Sequence, residues 1–187
     1  EAGNGVRIMS IHKSKGLEFP VVLVAGLNRS FNRTDQHAPV LFHPKYGVGP
    51  SGLDGELRIE YPTLARRAVA LQLDREMKAE EMRLLYVAMT RAREKLILVH
   101  TSTDWAKQCA KLAPDAGTKP DPEALNALST VGEWLLLPVL ARPDAADLRA
   151  AGGVTCQLLI PEDRWDIRLI PAVKPGVRRT EQMEQTA

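Results

Sequence analysis

The stretch IHKSKGLEFPVVLVAGL, residues 11–27, places a polar segment containing one glycine directly before an apolar run. The run 20–25 is rich in β-branched residues, which is typical of a strand covered on both faces. Residues 6–11 alternate apolar and polar side chains in part, so we expect a strand there too. Residues 12–18 would then form a loop or short helix at the carboxyl end of that strand, where open α/β sheets place ligand sites.

Three residues of this loop suit a ligand that carries phosphate and ribose. Lys15 supplies a positive charge, Gly16 lets another group approach the backbone closely, and Glu18 can accept hydrogen bonds from a sugar hydroxyl. A solvated surface loop is the commoner meaning of such a cluster. This stretch alone does not decide between the two.

A second stretch, EEMRLLYVAMTRAREKLILV, occupies residues 80–99. The chain from Thr63 to about Ala92 lacks Gly and Pro, so we expect one long helix or two abutting helices, followed by a buried strand over 95–100. Helical spacing puts Arg91 off the apolar face, where its guanidinium can reach a phosphate or a carboxylate. Ion pairing with a neighbouring side chain is the alternative.

The rest of the chain alternates turn-rich and periodic segments. Residues 28–61 are rich in Gly, Pro, Asn and Asp and predict an extended excursion with two short strands. Strands alternating with helices indicate an α/β fold, with a sheet flanked by helices. Beyond residue 100 we expect helices over 104–112 and 123–140, two strand-like runs at 154–160 and 165–170 joined by a hairpin turn, and a polar tail from 174.

Composition narrows the class of protein. The chain has 187 residues, of which 44% are hydrophobic, enough for a core, and its net charge of +2 gives no general argument for a polyanionic partner. Cys109 and Cys156 belong to no Cys-x-x-Cys pair, which argues against a disulfide scaffold or a zinc site and favours a cytoplasmic location. No stretch of about 18 apolar residues predicts a membrane span.

Other chemistry-bearing residues carry less weight. His37 and His43, with Asp35 nearby, offer metal-ligating atoms, but their turn-rich context favours solvent-facing histidines, so we expect no metal site. We expect the three tryptophans to pack rather than stack on bases. We expect the weakly basic tail with Lys174, Arg178 and Arg179 to be a flexible linker rather than a DNA clamp.

The two quoted stretches together resemble motifs V and VI of superfamily 1 DNA helicases of the UvrD, PcrA and RecB type. Motif V corresponds to residues 8–26, an insertion to 28–61 and motif VI to 80–99. Within that superfamily the chain is most similar to the AddA group of helicase–nuclease subunits. That likeness rests on residues 25–32, 42–49 and 58–63, and on a helix around Trp134.

The resemblance implies a partial second RecA-like motor domain over residues 1–112, with a parallel sheet flanked by helices. Residues 113–173 would form a helical extension with a C-terminal β-hairpin, and 174–187 a flexible tail. Within the motor domain, Arg91 would be the arginine finger that meets the γ-phosphate of ATP held by the first motor domain.

The resemblance also implies roles for the loop that precedes the first apolar run. Lys15 and Gly16 would lie near the nucleotide phosphates, and Glu18 would hydrogen-bond the ribose. Ser10 and His12 would contact single-stranded DNA.

The parent protein would therefore be an ATP-dependent helicase and exonuclease that moves on single-stranded DNA in double-strand-break repair. The chain contains neither Gly-Lys nor Asp-Glu, so we expect the Walker A loop and the Mg²⁺ ligands in a preceding part of a longer protein. Expected partners are single-stranded and duplex DNA, the first motor domain and an AddB-like subunit. Two alternatives stay open: a docking module that uses residues 28–61, and an autonomous nucleotide-binding domain.

Overall fold

The computed structural model describes residues 5–160 and 162–171. Its centre is a parallel pair of strands, β1 (Phe19–Val24) and β5 (Ala92–Leu98), connected through the long helix α1 (Leu64–Met89). The predicted α/β class, a parallel sheet flanked by helices, is confirmed. None of the helices in the described residues combines the length and the apolar character that a membrane span requires.

The parallel pair is in register from its first residues. Phe19 lies opposite Ala92 and Val21 opposite Lys95, so β5 has one extra residue beside Pro20, which has no N–H to donate. Val24 is buried against Ala88 of α1. On the other face Val21 and Leu23 are more than half exposed, so in the described residues β1 is covered on one face, not on both as predicted.

The strand predicted over residues 6–11 is not formed. Val6 and Ile8 are 97% exposed, and no strand among the described residues pairs with them. Alternating side chains stabilise a strand only where a neighbouring strand accepts its backbone hydrogen bonds, and the described residues supply no such neighbour. The loop 12–18 therefore lies at the amino end of β1 rather than at the carboxyl end of a preceding strand.

The excursion 28–61 forms an antiparallel sheet with one strand more than predicted. The sheet has the order β2 (Val40–His43), β3 (Gly47–Asp54) and β4 (Ile59–Pro62). It packs on the first half of α1, where Leu41 is buried and a Cβ on Gly49 would lie 2.7 Å from the Arg66 Cα. Glycine at this position allows the sheet and the helix to approach closely.

Helix α1 is a single helix of 26 residues, as one of the two predicted arrangements. It begins after Thr63, whose hydroxyl accepts a hydrogen bond from the Arg66 N–H at 3.1 Å. Lys78, in the middle of the helix, is only 3% exposed and pairs with Asp74 at 2.7 Å. Asp74 also pairs with Arg33 of the excursion at 2.8 Å, which joins the two segments.

The second core is helical. It contains α2 (Trp105–Leu112), α3 (Pro122–Ala127), α4 (Val131–Leu140) and α5 (Ala146–Gly152), the last of which was not predicted. The single helix predicted over 123–140 is interrupted, because Thr130 is extended and caps α4. The core cluster joins residues on both sides of position 112, whose role as a unit boundary stays a prediction; its buried members are Cys109, Leu112, Ala116, Leu128, Trp134, Leu136, Leu137 and Leu140.

The predicted C-terminal β-hairpin is absent from the described residues. Neither 154–160 nor 165–170 contains a strand, because this segment bonds to the helices instead of to itself. The N–H of Leu159 donates to the Ala141 carbonyl at 2.9 Å, and Arg142 donates to the Asp163 carbonyl at 2.7 Å. The predicted flexible tail over 174–187, with Lys174, Arg178 and Arg179, lies outside the described residues.

Candidate functional site

The end of α1 determines where Arg91 lies. Helix α1 stops at Met89, Thr90 is its cap, and β5 starts at Ala92, so Arg91 occupies the junction between helix and strand. Its N–H donates to the Ala88 carbonyl at 3.3 Å. The side chain is therefore fixed at its root by the last turn of the helix and by the first residue of the strand.

The guanidinium of Arg91 is held by neutral oxygens. Nε donates to the Val87 carbonyl at 3.0 Å, one terminal nitrogen donates to the Leu17 carbonyl at 3.0 Å, and the other donates to the Thr90 hydroxyl at 3.1 Å. Among the described residues, no carboxylate pairs with Arg91. Three of its five N–H groups are thus used, and its positive charge is not neutralised by an ion pair.

A backbone bond joins the same two segments a second time. The N–H of Phe19 donates to the carbonyl of Arg91 at 2.9 Å, at the position where β1 and β5 start together. Leu17 and Phe19 therefore both bond to Arg91, and Glu18 lies between them in the chain. Because of these two bonds, the amino end of β1 and the end of α1 form one compact site.

The loop 12–18 has a regular internal structure. His12–Ser14 is a 3-10 turn, and the buried Ser14 hydroxyl donates to the Ile11 carbonyl at 2.7 Å. The Leu17 N–H donates to the Ser14 carbonyl at 3.0 Å, and Gly16 has a φ of +78°, which side-chain-bearing residues rarely adopt. This turn aims the Leu17 carbonyl at Arg91.

Four of the predicted nucleotide residues are collected around this turn: Lys15, Gly16, Glu18 and Arg91. Lys15 and Glu18 are exposed, and in the part of the chain that the structure describes their side chains form no hydrogen bond or ion pair. The predicted DNA residues, Ser10 and His12, lie at the other end of the loop. Both are exposed, and neither bonds to Arg91 in the described residues.

The site can bind an anion. The Arg91 fork and the Lys15 ammonium are the groups that proteins use for phosphates, and both keep donors that no described residue accepts from. Sequence reasoning missed two participants, the Leu17 carbonyl and the Thr90 hydroxyl. A backbone carbonyl leaves no mark in a sequence, whereas Thr90 is signalled only by standing next to Arg91.

The predicted solvent exposure of His43 is wrong. Its side chain is buried, its Nδ1 accepts hydrogen bonds from the N–H groups of Lys45 and Tyr46 at 3.1 Å, and its Nε2 lies 3.0 Å from Glu76 Oε1. Hence His43 closes the turn between β2 and β3. Over residues 5–160 and 162–171, no group of three His, Cys, Asp or Glu side chains could hold a metal ion.

Comparison with known proteins identifies the family. Residues 1–103, which include the whole site, match the UvrD-like helicase C-terminal domain. The chain belongs to this family. As a UvrD-like helicase C-terminal domain, it carries the loop 12–18 and the α1–β5 junction within the matched residues.

Several curated relatives match almost the whole of this UvrD-like chain, and three of them share one name, that of the A component of an ATP-dependent helicase/nuclease. The relative from Thermoanaerobacter pseudethanolicus is 42% identical over 172 residues, which are 90% of this chain and 14% of the relative. That from Heliobacterium modesticaldum is 45% identical over 166 residues, 84% and 12% respectively. That from Pelotomaculum thermopropionicum is 48% identical over 175 residues, 89% and 14%.

These names confirm the predicted likeness to the AddA group of UvrD-like helicases. The chain spans about one seventh of the length of the curated relatives that it matches. The similarity therefore describes one part of a long protein, and it includes the C-terminal helices as well as the family region.

Proposed function

We propose that Arg91 is an arginine finger, which reaches the γ-phosphate of ATP bound on another domain. The observation that carries the proposal is the state of its guanidinium: three neutral oxygens orient it, and no carboxylate among the described residues neutralises it. An arginine with only a structural role at a helix end is usually paired or solvated. This one is oriented while its charge stays available.

Phosphoryl transfer gains most from positioning and from stabilisation of charge in the transition state. An arginine supplied across a domain interface is worth on the order of 10³ to 10⁵ in rate. Because this chain has no Gly-Lys pair and so no Walker A loop, it would contribute to an active centre completed by another domain. Hydrolysis would then depend on the closing of two domains.

The neighbouring loop would bind the rest of the nucleotide and the DNA. Lys15 would approach the phosphates beside Gly16, and Glu18 would accept a hydrogen bond from the ribose. Ser10 and His12, at the exposed start of the loop, would contact single-stranded DNA. Mg²⁺, when bound with ATP, would neutralise phosphate charge, and its ligands would come from outside this chain.

The function that follows is that of one motor domain in an ATP-dependent DNA helicase with an associated exonuclease. The whole protein would move along single-stranded DNA and open duplex DNA in double-strand-break repair, together with an AddB-like subunit. Residues 1–112 would form the motor unit, and 113–173 an extension of it. The names of the relatives, which describe one component of a helicase/nuclease, support this proposal.

The decisive experiment is Arg91→Ala in the full-length protein. We expect DNA-stimulated ATP hydrolysis to fall at least about 10³-fold, while the Kd for ATP changes little, because the finger acts mainly in the transition state. Arg93→Ala is the matched control, since Arg93 is exposed and its side chain has no hydrogen bond in the described residues. Equal turnover in Arg91→Ala and the parent protein would remove the proposed role.

A docking module is the second candidate, and the outer face of the antiparallel sheet favours it. Phe42 and Val48 lie opposite each other in β2 and β3 and are 69% and 51% exposed. Exposed apolar neighbours of this kind are typical of interaction surfaces. Changing both to serine should release a partner subunit while leaving ATP hydrolysis intact; retention of the partner would remove this candidate.

A further inference from the structure

The Thr90 hydroxyl is the one side-chain group that bonds to the Arg91 guanidinium in the described residues. The other two acceptors, the carbonyls of Val87 and Leu17, belong to the backbone. A backbone acceptor is present whatever the residue type, whereas the hydroxyl depends on the identity of residue 90. The orientation of Arg91 is therefore set in part by one replaceable atom.

The hydroxyl can accept from Arg91 only if its own proton points elsewhere. Thr90 Oγ1 lies 2.9 Å from the Tyr86 carbonyl oxygen and 3.1 Å from that of Val87. Val87 already accepts from Arg91 Nε at 3.0 Å, so the hydroxyl proton goes to Tyr86, which is also nearer. The lone pairs of Oγ1 then face the guanidinium, which donates to them at 3.1 Å.

The result is a chain of hydrogen bonds from the Tyr86 carbonyl through Thr90 to Arg91. It defines the rotation of the guanidinium about its last bonds, because Nε and both terminal nitrogens each have a fixed acceptor. A side chain with three fixed contacts loses less freedom when it meets its target. Thr90 is exposed, so replacing it leaves no cavity in the core.

We propose that Thr90 is a positioning residue for Arg91, whose hydroxyl holds the guanidinium in the orientation that meets the γ-phosphate. This inference rests on the proposed function of Arg91 and assigns to the same site a residue that acts through it. The rival explanation is that the hydroxyl only satisfies a carbonyl at the end of α1, which would affect stability and not turnover.

The test is a double-mutant cycle in the full-length protein, measured as DNA-stimulated ATP turnover under single-turnover conditions. Thr90→Val keeps the shape and removes the hydroxyl, and Thr90→Ser keeps the hydroxyl. We expect Thr90→Val to lower the rate about three- to tenfold with an unchanged Kd for ATP, and Thr90→Ser to retain the parent rate. Thr90→Ala serves as a second truncation if the valine variant does not fold.

The Arg91→Ala background separates the two explanations. If Thr90 acts through Arg91, Thr90→Val causes no further loss there. The same fractional loss in both backgrounds, or no loss in the parent background, overturns the inference. Full turnover in Arg91→Ala alone instead removes the arginine-finger proposal, so the two failures are distinguishable.

Discussion

The Arg91 guanidinium donates to the carbonyl oxygen of Leu17 at 3.0 Å, although the two residues are 74 positions apart. The contact joins the loop that carries Ser10 and His12 to the side chain proposed to act on ATP. A displacement of the loop, as when DNA moves across it, would shift one of the three acceptors that orient Arg91. The bond is therefore a direct physical route between the DNA-facing loop and the nucleotide-facing arginine.

Arg91→Lys tests whether charge alone is sufficient. A lysine keeps the positive charge but has no planar fork, so it cannot donate to Val87, Leu17 and Thr90 in the same geometry. We expect ATP turnover at least about 10²-fold below the parent protein, with little change in ATP affinity, measured by steady-state kinetics and equilibrium binding. A lysine variant that works as well as arginine would show that the geometry of the guanidinium is unimportant.

The central elements could be predicted because their sequence patterns agree with their surroundings. The apolar run of β1 and the long helix without Gly or Pro both form as expected. The strand over 6–11 and the C-terminal hairpin fail for one reason: alternation describes a single segment, whereas a strand needs a partner. β3 was missed because its Gly47, Gly49, Pro50 and Gly52 resemble a turn, although the close approach of α1 favours glycine at position 49.

The candidate site shows the same division between local and distant information. The position of Arg91 at the end of a helix follows from the local pattern, and its closeness to 12–18 was expected only from the family resemblance. Its actual acceptors include two carbonyls, which no residue type reveals. His43 was misread because burial depends on α1, where Glu76 lies 33 residues further along the chain.

The buried Lys78 should be a strong contributor to stability. It is 3% exposed, pairs with Asp74 at 2.7 Å and also donates to the Asn126 carbonyl. Lys78→Met removes the charge and leaves both acceptors with one partner fewer, so we expect the free energy of unfolding to fall by about 3 kcal/mol in urea denaturation. In the matched control Arg83→Met, an exposed pair with Glu80 is lost and the change should stay below about 1 kcal/mol.

Glu133 should make stability depend on acidic pH. Burial alone would raise the pKa of Glu133, but hydrogen bonds from Lys111 and from the Ser129 N–H, both at 2.6 Å, hold it below its ordinary value of 4.5. The unfolded state then binds the proton more readily, so the stabilisation is present above pH 4.5 and is lost as the pH falls through the folded-state pKa.

The measurement is the free energy of unfolding between about pH 6 and about pH 3, an interval that brackets the titration of this carboxyl group. Glu133→Gln cannot ionise, so its stability should fall less steeply over this range than that of the parent chain. Lys111→Met removes the strongest opposing partner and should reduce the slope as well. Identical slopes in all three proteins would show that this carboxylate is not coupled to folding.

His43 should be replaceable by asparagine better than by alanine. Its Nδ1 accepts from the N–H groups of Lys45 and Tyr46, so this nitrogen carries no proton and Nε2–H donates to Glu76. Alanine leaves two backbone donors unsatisfied and should lower the free energy of unfolding by about 2 kcal/mol or more. An asparagine oxygen can accept from N–H groups two residues further on, as in Asx turns, and should recover about half of that loss. If the two variants are equally unstable in urea denaturation, ring packing against Tyr46 rather than the turn hydrogen bonds determines the role of His43.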